Sequence, residues 1–227
     1  MLTPLEIEAL TLSLWVSVWA VGLSLPPGIA VAWVLARGRF PGKALLDSVV
    51  HLPLVLPPVV VGYLLLLAFG NSGPLGGLMA DLGLPIAFTW RGAALASAVV
   101  AFPLMVRAIR LSVEAIDPGL EEAARTLGAS PLRVFSTITL PLMAPGVLAG
   151  GILAFARSLS EFGATVTFVS SIPGQTRTLP LALFSMTQVP GQEGAAMRLC
   201  MISVVVAFVT LLASEELARR IRARTGA

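Results

Sequence analysis

Long apolar runs recur along this chain, and the short intervals between them hold most of its arginines. A bilayer core offers the backbone no water, so a crossing segment must satisfy its own N–H and C=O groups. About 20 consecutive apolar residues wound into a helix do so. Thr11 to Ala36 is the first such run, long for one crossing and interrupted by Pro26-Pro27-Gly28. Neither half is long enough alone, so the run reads as one bent helix. Leu45 to Phe69, carrying Pro53, Pro57 and Pro58, is the second span, and Ala93 to Leu111 the third. Met143 to Ser170 is the fourth, and Leu199 to Leu212, extended through Leu217, the fifth. Thr178 to Thr187 is apolar but too short to cross, and reads as a re-entrant or interfacial helix. The expected fold is therefore an all-α integral membrane protein with five transmembrane helices, or six if that short segment crosses.

Only 12% of the residues are charged, where a soluble domain carries roughly a quarter, and the mean hydropathy is +0.91. The net charge of +3 raises nucleic acid as a partner. The arginines form no single face, however, and their clusters between apolar runs report topology instead. With five spans, one side of the membrane holds Arg37, Arg39, Lys43, Arg107, Arg110, Arg125 and Arg133, together with Arg219, Arg220, Arg222 and Arg224. The other side holds only Arg91, Arg177 and Arg198. Positive loops stay inside, so the N-terminus is expected outside and the C-terminus in the cytoplasm. Met1 to Leu10 contains Glu6 and Glu8 and no basic residue, unlike a secretory leader, so the first run is kept as a span. Trp90, ending a glycine-rich interval, sits like an interfacial anchor.

Several chemistries are excluded. Gly42-Lys43 lacks the preceding glycine of a phosphate loop, and Ala44 stands where Ser or Thr is needed, so the chain does not bind ATP that way. His51 is the only histidine, which rules out a Ser/His/Asp set. Asp47 and His51, four residues apart, read as an interfacial hydrogen-bonded pair because no third metal ligand accompanies them. Cys200 is the single cysteine and reads as a small packing residue. No catalytic, cofactor or metal site is expected, and the chemistry must come from partners.

The longest polar interval with a complete helix grammar is Asp117 to Pro141. Asp117 can cap a helix, Pro118 suits its first position, and Glu121 and Glu122 favour the positive end of the dipole. Leu120, Ala123, Ala124 and Leu127 repeat with helical spacing, giving a narrow apolar face opposite Glu121, Glu122 and Arg125. Gly128 supplies a stop; Ser130 and Pro131 restart a second helix that Pro141 is expected to end. An ordinary solvated connector is the bland alternative. In the fourth span, Arg157 and Glu161 lie one turn apart. They are either a mutual ion pair that holds the helix or part of an anion's path, and spacing alone leaves both open.

Glu122-Ala123-Ala124, then Gly128, then Ile138, Leu140 and Pro141 resembles the EAA loop of ATP-binding-cassette importer permeases, with its full spacing. Nearly the whole chain is similar to permease subunits of molybdate importers. Phe40 to Leu66, Ala101 to Arg110, Ala124 to Ser130 and Phe155 to Pro180 carry that likeness. Ser160 stands where the molybdate group commonly has glycine, a mild departure. Sulfate permeases share the loop but typically differ, with a tyrosine and other small residues, where this chain has Glu161 to Thr165.

The resemblance implies a type I importer-like permease, one transmembrane domain over residues 1–227 with a cytoplasmic coupling loop at 117–141. It implies an inner-membrane subunit working as a homodimer with two ATP-binding subunits, fed by an extracytoplasmic oxyanion-binding protein. Leu120, Glu122, Ala123, Ala124, Leu127 and Gly128 would couple to the ATPase; the apolar face of Leu120, Ala123, Ala124 and Leu127 would meet the ATPase groove or the permease underside, with Glu122 helping to fix the seat. ATP binding would draw the coupling helices together and open the cavity outward. Molybdate is the implied solute, with sulfate or tungstate as alternatives. A stand-alone secondary transporter is the other functional class, and no internal repeat supports it.

Overall fold

A computed structural model describes residues 2–225, and among them all regular structure is helical. The side chains of Arg220, Arg222 and Arg224, part of the topology argument, lie outside the described residues, as do Gly226 and Ala227.

Helix α1 (Pro4–Arg37) is one continuous helix through Pro26 and Pro27. Its start is a reciprocal capping box between Thr3 and Glu6. Helix α2 (Lys43–Val55) and α3 (Pro58–Phe69) replace the single continuous helix expected for the second span; they meet at 113°. Leu56 and Pro57 each precede a proline, which drives the preceding residue out of the helical region. Leu56 is extended, at ψ 139°, and Pro57 also lies outside the helical region, at ψ 133°.

A short α4 (Gly76–Asp81) leads to α5 (Trp90–Glu114), capped by the Thr89 hydroxyl. Helices α6 (Pro118–Thr126) and α7 (Pro131–Val134) form the polar interval. A π turn (Phe135–Thr139) joins α7 without a break to α8 (Leu140–Leu159). Pro141 therefore does not end a helix. A proline has no N–H to donate back along the helix, and the wider i→i+5 turn before it absorbs that mismatch. There the Leu140 N–H reaches the Phe135 carbonyl, while the Ser136 and Thr137 hydroxyls bond Arg133 O.

The fourth span also stops earlier than expected, at Leu159, and restarts as α9 (Gly163–Phe168). Helix α10 (Leu179–Thr187) is the short apolar segment, docked against α11 (Glu193–Thr225) and α1. Among the described residues, four single helices, plus the bent α2–α3 pair, are long and apolar enough to cross a bilayer. The expectation of five spans thus holds if the bent pair counts as one.

Helix α5 is the hub, packed chiefly on α8 and α1. In lipid, burying apolar area against protein gains little over burying it against acyl chains, so close contact between small residues decides packing. A Cβ on Gly146 would stand 2.2 Å from the Ser112 Cβ, so only glycine lets α8 lie this near α5. Met105, Val106 and Ile109 of α5 fill one core with Leu35 and Met143. Val61, Ala164 and Phe168 anchor a second core with the start of α5. Cys200 is exposed and not the packing residue expected.

Candidate functional site

Helix α6 forms as its sequence dictates. The Asp117 carboxylate accepts the Gly119 N–H at 2.9 Å, with Pro118 in the first turn. At its end the Gly128 N–H bonds Arg125 O and the Ala129 N–H bonds Ala124 O, both at 3.0 Å. That pair of bonds is a Schellman stop, and it sets Gly128 at φ 86°. No atom would meet a Cβ there, so backbone conformation alone demands the glycine.

The predicted apolar face faces out, away from the helical bundle. Leu120 is 49% and Leu127 89% exposed, Ala123 is exposed and Ala124 half-buried. Leu132, just past the elbow, adds a further apolar side chain at 77% that the sequence pattern did not single out. Glu122 is exposed. Its neighbour Glu121 is the carboxylate turned into the bundle, at 6% exposure. The Thr139 hydroxyl in the π turn donates to Glu121 Oε1 at 2.8 Å, and Arg37 Nε at the end of α1 stands 3.5 Å from Oε2. Arg37 also donates through Nη2 to Ile116 O at 2.9 Å. Nothing local in the sequence links residues 37, 121 and 139; only the fold brings them together.

The second candidate pair is real, but it does not share one helix. Arg157 closes α8, and Glu161 lies in the break before α9. Glu161 Oε1 accepts the Ala164 N–H at 2.8 Å, so the carboxylate takes over a backbone acceptor's task where the helix is interrupted. Arg157 Nη2 lies 2.8 Å from Oε2, off the direction of a hydrogen bond, so charge attraction holds it. The Glu161 side chain is 1% exposed and that of Arg157 28%.

Asp47 and His51 form the expected pair, 3.1 Å apart, and Arg110 reaches the same Asp47 oxygen at 3.1 Å while holding Glu114 at 2.7 Å. Opposite the loop, Arg198 Nε meets the buried Glu6 at 2.8 Å, tying α11 to the start of α1. Trp90 packs on Trp15 and Trp19 at ring separations of 6.0 Å. Among the described residues no group of three or more His, Cys, Asp or Glu could hold a metal.

A lipid-suited helical bundle with one polar helix presented outside it defines a class. The family described as "Binding-protein-dependent transport system inner membrane component" matches residues 28–223, and the chain belongs to it as a multi-span inner-membrane transport subunit. Within it, the chain is 62% identical over 226 residues to the molybdenum transport system permease protein ModB of Escherichia coli K12, covering 99% of each. The protein of the same name in Haemophilus influenzae is 57% identical over 223 residues, 98% of this chain and 97% of that one. The sulfate transport system permease protein CysW of Synechocystis is 38% identical, over 94% of this chain and 77% of that one. The fold matches a bacterial ABC transporter that imports alginate, with TM-score 0.75 and 18% identity over 97% of this chain and 81% of that one. It also matches an inward-facing MetNI methionine ABC transporter, with TM-score 0.68 and 16% identity over 96% and 94%.

Proposed function

We propose that this chain is the membrane permease of an ATP-driven molybdate importer, passing the oxyanion across the cytoplasmic membrane while separate subunits hydrolyse ATP. The 62% identity along the whole chain to a molybdenum permease carries the solute assignment, against 38% to a sulfate permease. Residues 1–227 act as one transmembrane unit, with 117–141 as its cytoplasmic segment, the N-terminus outside and the C-terminus inside. The arginine asymmetry supports that orientation.

Helix α6 is the coupling element. A polar helix that displays Leu120 and Leu127 to water has a face without a partner among the described residues. We assign that face, with Ala123, Ala124 and Glu122, to a groove on the ATP-binding subunit, and Gly128 to setting its angle. The assembly is two permeases, two ATP-binding subunits and an extracytoplasmic oxyanion-binding protein. Arg157 and Glu161 act as a brace across the break between α8 and α9, because each already has a protein partner.

Uptake in cells with and without the chain tests the solute. Saturable molybdate uptake that tungstate competes for and sulfate does not is expected; equal competition by sulfate would favour the sulfate reading. The loop is tested by Gly128→Val, which forces a β-branched residue to positive φ at a cost of roughly 1 kcal/mol or more. Purified complexes should insert and dimerise normally but carry less ATPase or hydrolyse ATP without uptake. Full ATPase content with ordinary uptake would make the loop a mere connector.

A further inference from the structure

We infer that Glu121 is a positioning residue for the ATP-driven step, the inner bearing through which displacement of α6 reaches the membrane helices; this rests on the reading of α6 as the docking helix. A docking surface needs only the outward face. Glu121 does something separate: it is buried, and its two oxygens address two different elements. One accepts from Thr139 in the π turn that opens α8, and the other faces Arg37 at the end of α1. Arg37 in turn holds Ile116, where α5 ends. All three helices of the packed bundle therefore meet α6 through a single carboxylate and its arginine.

Replacing a buried ion pair by apolar residues is often neutral or stabilising, so Glu121 adds little as a source of stability and is open to a geometric role. The geometry offers one. At 3.5 Å the Arg37–Glu121 contact is an ion pair, and Arg37 Nε makes no hydrogen bond. Moving about 0.5 Å closer would complete a charge-assisted bond. A second seat of α6, shifted by that distance toward α1, would differ from the observed one by one strong contact, which is the differential interaction a two-state lever requires.

The test uses the whole transporter in proteoliposomes, with permease, ATP-binding subunit and loaded binding protein, and reads molybdate moved per ATP hydrolysed. Glu121→Gln should keep full ATPase content and near-normal hydrolysis while this ratio falls about five-fold or more. Thr139→Val, which removes one neutral bond and keeps the shape, should lower it about two-fold. Arg37→Glu combined with Glu121→Arg should exceed either single change. A parental ratio in Glu121→Gln overturns the inference, and so does loss of the ATPase from that variant, which would place Glu121 in the docking face. If Glu121→Gln fails to accumulate, Thr139→Val decides by the same ratio. Leu127→Asp separates the two ideas. Full ATPase content there fails the docking reading, whereas an unchanged Glu121→Gln ratio beside an ATPase-poor Leu127→Asp fails the bearing alone.

Discussion

Helices α5 and α11 are both apolar enough to cross a membrane, with mean hydropathies of 1.8 and 2.3 in their best windows, yet 67% of the first window is buried in protein and 11% of the second. Hydropathy ranks them the wrong way round for burial. What separates them is side-chain size. The first half of α5 holds Gly92, Ala93, Ala94, Ala96, Ser97, Ala98 and Ala101, whereas α11 presents Met197, Met201, Val204, Val205, Phe208 and Val209 outward. Small residues let backbones approach, and that is what makes a helix a hub where lipid competes for every apolar surface. Helix α11 is held instead by α10 and by the Arg198–Glu6 clasp near its first turn.

Breaking the packed side of that comparison should cost most where charge is involved. Arg157→Ala leaves the buried Glu161 with its one backbone donor and no cation, and should destabilise the protein by about 3 kcal/mol or more. Chemical unfolding in micelles measures this, and Glu161→Ala on top of it should recover part of the loss. An Arg157→Ala protein of parental stability that no longer transports would instead put Arg157 on the anion's path. Next comes Gly146→Leu, which drives a side chain into Ser112 across the α5–α8 contact; about 1–3 kcal/mol is expected by the same assay. At the other end, Phe208→Ala on the outward flank of α11, where Phe208 is 62% exposed, should stay within about 0.5 kcal/mol. Should that change split the assembled transporter while sparing the isolated chain, the exposed flank faces a protein partner, and burial in one chain understates the role of α11.

Much of this was readable in the chain. The Asp117, Pro118 and Gly128 signals are local, so helix α6, its start and its left-handed stop follow from neighbouring residues. The spans follow from run length. Their interruptions were harder. Leu56-Pro57-Pro58 is a local signal for a break, but its angle depends on what packs against it. Pro141 is an ordinary stop signal that the preceding π turn overrides. At Ser160 the break depends on Glu161 folding back on Ala164, which an apolar run conceals. The choice between Glu121 and Glu122 could not be made from helix periodicity, because it is settled by Arg37 and Thr139, remote in sequence.

The bend between α2 and α3 bears on how such a chain is made. A Cβ on Gly62 would lie 2.4 Å from the Ala164 carbonyl, and one on Gly163 would lie 2.8 Å from Pro58, so α9 is the wedge fitted against α3. Residues 163 and 164 leave the ribosome only after α4 to α8, and synthesis runs from the N-terminus. During elongation residues 43–69 enter the bilayer without that wedge, as an apolar stretch whose prolines break it but whose final angle has no partner to set it. A helix made late therefore completes the packing of one made early, and a nascent chain truncated before α9 lacks the close approach of Gly62 and Gly163 between α3 and α9.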